Sequence, residues 1–381
     1  MHTTDVEILA LTHVPSIGFA ILQADGVDSE RCLHQMQRCL RLLGIDDLLD
    51  GEVHNASDAS WLHLSANDRL QALCPHFDTA PIQAFLSGRR LDRESQMVAE
   101  IILAMALSPQ TIPFKTIRDF KSALRMRRNA VDVASRTELS FDTDAITRPQ
   151  AYWVYSKENG FLLRQGVSLV EGLERALCPD VSGSTYAFSC QRASEYLMLY
   201  AVVRELSKVN QAGLHAVEEQ WRKRALMGDD FLFRFLEERG TRENPMPMRY
   251  YIPGDRIWFK NPDDHSSDIE GFEGSWVIYL GGGRFCNLWD RERPYALEEK
   301  CLEIYYWSQC VEVSPAGLPW MNEAAVKDRV QLALSDPAIK NPILEKMMVY
   351  RDPAGVYADG GCIDLSRDSF GSVYTEPLRS E

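Results

Sequence analysis

Residues 196–203 read Tyr-Leu-Met-Leu-Tyr-Ala-Val-Val, eight apolar side chains in succession. A helix that is apolar on nearly every side belongs in the middle of a domain, covered all round by other elements. Just before it stands Gly183-Ser184-Thr185-Tyr186-Ala187-Phe188-Ser189-Cys190. Gly183 and Ser184 supply an entry turn and a cap, which places Cys190 near the N-terminal end of the central helix. There the unpaired amides and the helix dipole favour an anion, lower a thiol pKa and make thiolate available. The same amides can hold an oxyanion. Most cysteines of an intracellular protein are small buried apolar groups; position on this helix singles out Cys190 as the candidate nucleophile.

The rest of the composition narrows the setting. The nine cysteines are odd in number, irregularly spaced and without a C-x-x-C pair. That pattern describes neither a disulfide framework nor a zinc site; it predicts reduced thiols and a cytoplasmic protein. A net charge of −14, spread along the chain, argues against a nucleic-acid binder. The N-terminus Met1-His2-Thr3-Thr4-Asp5-Val6-Glu7 lacks a basic region, and Thr12, His13, Pro15 and Ser16 break the apolar stretch after it. The reading is therefore no signal peptide and no membrane span. With 381 residues the chain has room for two domains, or one domain with large extensions.

Local patterns predict a mixed α+β fold. Residues 6–11 and 18–22 are short β-like runs around a Pro-Ser-Ile-Gly turn. Ser29 can cap a helix carrying Cys32, Met36, Cys39, Leu40 and Leu43 at helical spacing. Helical spacing recurs over 91–107 and over 116–139, the latter with Ile117, Phe120, Leu124 and Val131 on one side. Its Arg125, Arg127 and Arg128 read as a solvated basic face, an anion contact being the alternative. Residues 152–155 and 160–163 form a hairpin over Asn159-Gly160. A β-rich block follows at 248–252, 256–259, 276–280 and 284–288, with Gly281-Gly282-Gly283 turning between the last two runs. No P-loop lysine and no G-x-G-x-x-G accompany that triple glycine. A helix over 323–334 leads into a Pro- and Gly-punctuated tail.

Three stretches, in order, resemble the bacterial spore-coat transglutaminases, in the NlpC-like branch of papain-fold cysteine enzymes. The first is Leu124-Arg125-Met126 with its helix, leading to Tyr152-Trp153. The second is Tyr186-Ala187-Phe188-Ser189-Cys190, where that family has its nucleophile. The third is Gly254-Asp255-Arg256-Ile257-Trp258-Phe259-Lys260-Asn261-Pro262, then Gly274-Ser275-Trp276-Val277-Ile278-Tyr279-Leu280-Gly281, with Ser308-Gln309 beyond. The resemblance implies a papain-like core, with the nucleophile at the N-terminus of a central helix packed on a small antiparallel sheet. It implies three parts: an accessory α+β region (1–108), a transglutaminase-like domain (109–320) and a C-terminal helix with an irregular extension (321–381). It also implies acyl transfer from protein glutamine to lysine side chains through a Cys190 thioester, or deamidation with water as acceptor. No metal, no organic cofactor, no nucleic acid and no membrane partner is implied.

The partner positions differ from that family. Ser189 and Ser275 stand where it has acids, and Asn287 or Leu288 where it has a histidine. Glu273, two residues before Ser275, Asp290, two or three after the missing histidine, and the loop residue His265 are the candidate replacements. Cys190, Glu273, Asn287 and Asp290 are therefore the candidate site residues. Two readings stay open: a divergent acyltransferase, or a catalytically inactive member of the fold that serves as a protein-binding module. A thiol hydrolase acting on peptide or cell-wall amides is a third, and it requires a histidine beside the Cys190 sulfur.

Overall fold

The computed structural model describes residues 17–23, 29–55, 60–142, 146–352 and 360–373. The expected strand at 6–11 and the Ser29 cap lie outside the described residues and side chains. The fold is mixed α+β and has two hydrophobic cores.

The N-terminal core surrounds a four-stranded sheet of β1 (Phe19–Gln23), β2 (Leu49–Asn55), β3 (Ser60–Ala66) and β4 (Ile112–Phe114) in the order β2-β3-β1-β4. Helices α1 (Ser29–Leu42), α2 (Asp68–Leu73), α3 (Pro81–Ser87) and α4 (Arg93–Ala106) complete this region. Phe19 stacks on Phe120 at 5.1 Å, and Phe114 meets both rings edge-on. Phe120 belongs to α5 (Ile117–Arg136), whose first half joins this core and whose second half joins the other. Thr116 caps α5 by accepting from the amides of Arg118 and Asp119.

The second core encloses α8 (Cys190–Val209), in which Leu197–Val203 lose all contact with solvent. Each such Leu or Val stabilises the fold by about 1.5–3 kcal/mol through burial alone. The helix packs on α5, on α6 (Leu169–Leu177), on α9 (Gln211–Lys223) and on a six-stranded sheet. That sheet holds β9 (Leu236–Arg239), β10 (Arg256–Lys260), β11 (Gly274–Gly281), β12 (Arg284–Phe285), β13 (Tyr295–Ala296) and β16 (Arg367–Phe370). Its order is β13-β12-β11-β10-β16-β9, antiparallel throughout. β16 comes from the irregular-looking tail and lies inside the sheet. The β6 (Trp153–Ser156) and β7 (Gly160–Leu163) hairpin forms as expected, with Gly160 in the left-handed region. Glycines 281–283 all take positive φ and turn β11 into β12.

Three local expectations are corrected. The central helix starts at Cys190 itself and is capped by Ser189, because residues 187–188 form a short strand paired with Ser140 and Phe141. Gly183 instead ends the short helix Pro179–Ser182 at φ 73. Residues 248–252 are not a strand: buried arginines take their carbonyls in place of a neighbouring strand. Arg367 donates to the oxygen of Tyr250, and Arg127 to those of Ile252 and Pro253. The basic side of α5 is not a solvated face. Arg127 is 3% exposed and pairs with Asp255 at 2.7 Å, while Arg125 makes a forked pair with the fully buried Glu205 of α8.

These pairs explain the Gly-Asp-Arg sequence before β10. Gly254 sits at φ 88, and a Cβ there would lie 2.9 Å from the Cα of Arg127. The helix and the turn therefore touch backbone to backbone, which only glycine allows. Asp255 neutralises Arg127 and also accepts the amide of Ile252 at 2.7 Å. Arg256, 1% exposed, donates to the Ser194 hydroxyl of α8 and to Asp368 of β16, with its guanidinium 3.5 Å over the Trp276 ring of β11. One side chain thus fixes the central helix against three strands.

Candidate active site

Cys190 is the first residue of α8, and the Ser189 hydroxyl accepts the Arg192 amide at 3.3 Å. The position where the resembled family carries an acid is occupied here by a helix cap. Cys190 is half-buried, whereas seven of the other eight cysteines are buried and Cys39 is exposed. No disulfide joins any of the nine.

Two backbone N–H groups act on the Cys190 sulfur, those of Gln191 and Trp276. The Trp276 amide is available because of sheet register. The Ile278 amide points away from β10 and reaches the Cys286 sulfur at 3.1 Å. Trp276, two residues earlier, points the same way by the period of a strand. β12 has only two residues and ends before it can take that amide.

Two charges also act on the sulfur: the Glu273 carboxylate opposes the thiolate, and the Lys300 ammonium favours it. The net result differs from the sequence expectation. Burial raises the Cys190 thiol above its ordinary value, outweighing the two amides that stabilise the anion. The helix terminus contributes in the expected direction, but removal from water is the larger effect. Elsewhere burial, the largest cause at each, pushes Cys74, Cys178 and Cys286 up to about 12.

Of the four candidates, Cys190 and Glu273 come together. Glu273 is exposed just ahead of β11, where its carbonyl accepts the Asn261 amide. Ser275 is half-buried in β11. Asn287 and Asp290 lie on the loop after β12 and organise it. The Asn287 side chain accepts from the Trp289 amide and donates to the Arg293 carbonyl. Asp290 accepts the Glu292 amide and lies 3.6 Å from Arg293. His265 is exposed on the short helix Asp264–Ser267.

Asn287 and Asp290 line a cleft of about 940 Å³ between that loop, α12 (Leu297–Trp307) and α13 (Glu323–Ser335). Asp290, Glu292, Glu299, Glu303 and Glu323 face Arg284, Arg293 and Lys327 around it, an acidic balance. A smaller recess of about 300 Å³ reaches Ser189 between Arg192, Phe161 and Tyr196.

Arg256, Trp276 and Lys300 have no role in the sequence reading. The first two stand within the motif stretches. Lys300 lies in the first turn of a helix preceded by Ala296 in place of Ser, Thr, Asp or Asn, so the usual start signal is missing.

The site is thus a thiol at a helix N-terminus, set against an antiparallel sheet in a mixed α+β protein. The family described as TGL, protein-glutamine gamma-glutamyltransferase, matches residues 82–359. The chain belongs to that acyltransferase family. A protein-glutamine gamma-glutamyltransferase of Halalkalibacterium halodurans is 22% identical over 209 residues, which cover 52% of this chain and 68% of that protein. A solved transglutaminase from Geobacillus stearothermophilus, without its C-terminal extension, aligns with a TM-score of 0.42 and 16% identity, over 70% of this chain and 100% of that one. Among the described residues no helix is long and apolar enough to cross a membrane.

Proposed function

We propose that this chain is a cysteine acyltransferase acting on protein glutamine side chains through a Cys190 thioester. The observation that carries this reading is the half-buried Cys190 thiol at the first position of α8; the Trp276 and Gln191 amides favour its anion. The sulfur attacks the carboxamide carbon of glutamine: a C–S bond forms, the C–N bond breaks, and the thiol proton leaves with the amide nitrogen as ammonia. An amine then attacks the thioester, forms the new amide and returns the proton to sulfur. Water in place of the amine gives deamidation. Glu273 is the group we assign to carry the proton between sulfur and nitrogen, in the role of a general base and then acid. The acidic cleft that Asn287 and Asp290 line suits a cationic lysine side chain as acceptor.

The arrangement of α8 on β10 and β11 is the core we read as papain-like, within residues 109–320. We assign residues 1–108 as an accessory region and 321–381 as an extension, β16 of which is built into the sheet. The raised thiol favours a second reading, a catalytically inactive binding module. Incorporation of a fluorescent primary amine into a glutamine-bearing protein separates the two. The acyltransferase reading predicts incorporation that falls in proportion to the fraction of Cys190 alkylated beforehand. Incorporation that persists after complete alkylation of Cys190 excludes Cys190 as the nucleophile, and no incorporation by the untreated protein favours the binding module.

A further inference from the structure

We infer that the recess at Ser189 takes an acidic side chain of the glutamine-bearing protein, an aspartate or glutamate close in sequence to the reactive glutamine, with Arg148 and Arg192 as its cationic wall. The inference deepens the acyltransferase reading and rests on it for the identity of the substrate.

Arg148 is 5% exposed. Its guanidinium carbon lies 3.1 Å from the ring centre of Phe188, 4.7 Å from that of Phe161 and 4.9 Å from that of Tyr196. A cation removed from water is costly unless a counter-charge or a full set of acceptors replaces the water. Arg127, Arg256 and Lys300 each hold a carboxylate, and Arg367 donates from all three of its nitrogens to backbone carbonyls. Arg148 has neither arrangement. One terminal nitrogen donates to the carbonyls of Thr147 and Ala187 at 2.6 and 2.8 Å, the Tyr196 phenol is a further partner, and Nε has none. Among the described residues no carboxylate pairs with it. Burial, the largest effect on Arg148, lowers it to about 10, so it keeps its charge at neutral pH.

The recess can supply the missing partner. Phe161 and Tyr196, two of the three rings around the guanidinium, line the space of about 300 Å³ together with Arg148 itself. Arg192, which also holds Glu195, and Lys157 stand around it, against the single acid Glu158. This balance is basic, the reverse of the cleft assigned to the lysine acceptor. A carboxylate on a short apolar stem fits such a lining: the rings take the methylenes and the guanidinium groups take the charge. Ser189 lines the recess and is bonded to Cys190. Their Cα atoms are about 3.8 Å apart, the same step that separates a glutamine from an acid beside it in a substrate chain. The two substrates are then sorted by charge, the donor by its acid and the acceptor by its ammonium.

The test is the fluorescence anisotropy of labelled peptides with full-length Cys190→Ala, which binds without turnover. Asp or Asn is placed in turn at each position near a single glutamine. Asp is expected to bind about tenfold more tightly than Asn at one of these positions, the contribution of a charge-assisted hydrogen bond. Adding Arg148→Met is expected to remove the preference, and adding Arg192→Gln to reduce it several-fold. Arg192 is partly exposed, so its variant decides alone if Arg148→Met does not fold. Equal binding of Asp and Asn peptides at every position overturns the inference. So does a preference that survives Arg192→Gln, or a folded Arg148→Met, undiminished. A preference erased by inorganic phosphate at concentrations well below that of the peptide assigns the recess to a free anion and also overturns it. Binding reads no transfer, so the failures separate. An Asp preference in a protein whose unmodified form transfers no amine contradicts only the acyltransferase reading. Amine transfer that is equally fast from Asp and Asn peptides contradicts only the recess assignment.

Discussion

Arg256→Met is expected to lower the free energy of unfolding by about 3–5 kcal/mol at pH 8, the cost of leaving one member of a buried pair unpaired. Arg256 is enclosed, and its partners lie on three separate elements: Ser194 of α8, Asp368 of β16 and the Trp276 ring of β11. Burial already pushes Asp368 up to about 6 even with the guanidinium beside it. A carboxyl raised in the folded state contributes stability below its ordinary value and loses it as the pH rises through the folded value. Without Arg256 the folded value moves higher still, so the loss is largest at pH 8 and smaller at pH 5, where Asp368 holds its proton in both proteins. Urea unfolding at the two pH values measures this, and Asp368→Asn added to Arg256→Met is expected to recover part of the loss. A loss below about 1 kcal/mol at pH 8, or equal losses at both pH values, contradicts the account.

Glu100→Gln is expected to act in the opposite direction, stabilising the protein at pH 8 by about 1–3 kcal/mol and changing little below pH 5. Glu100 lies on α4, buried against the β11–β12 turn, where it accepts the Gly282 amide at 2.7 Å. A Cβ at Gly281 would lie 2.7 Å from its carboxylate, so the turn closes directly over the acid. The phenol of Tyr279 on β11 is a titratable group near it. Burial pushes Glu100 up to about 7, and the Gly282 hydrogen bond opposes this only in part. The folded value exceeds the ordinary 4.5, so the favourable contribution is complete below about 4.5 and is lost as the pH rises through 7. Glutamine keeps the acceptor for Gly282 and has no charge to desolvate. Urea midpoints at pH 5 and pH 8 decide it: a gain confined to pH 8 is predicted, and equal shifts at both pH values, or a loss at pH 8, contradict it.

What the sequence discloses follows from how each element is buried. The central helix is legible because residues 196–203 are enclosed on every side, and only an uninterrupted apolar run does that. The Asn159-Gly160 turn and the triple glycine are legible because positive φ selects glycine. β16 is not legible. Arg367-Asp368-Ser369-Phe370 looks like solvated tail, yet all four residues are buried, the first two with charge or carbonyl partners far away in sequence. Arg125 and Arg127 are misread for the same reason: Glu205 and Asp255, which draw them inward, follow about 80 and 128 residues later. At the site, the nucleophile candidate and Glu273 are found from the order of the motifs. The direction of the Cys190 shift also escapes, since desolvation depends on packing that no local pattern records.

The central claim is a covalent acyl intermediate on Cys190, and acid-quench trapping tests it most directly. The full-length protein is mixed with a glutamine-containing peptide, without amine, quenched in acid within seconds, digested and analysed by mass spectrometry. The account predicts the Cys190 peptide carrying the added mass of the substrate less one ammonia, its loss on adding a primary amine before the quench, and no such adduct in Cys190→Ala. Ammonia release or amine transfer by a protein whose Cys190 peptide stays unmodified, or an unchanged rate in Cys190→Ala, contradicts it.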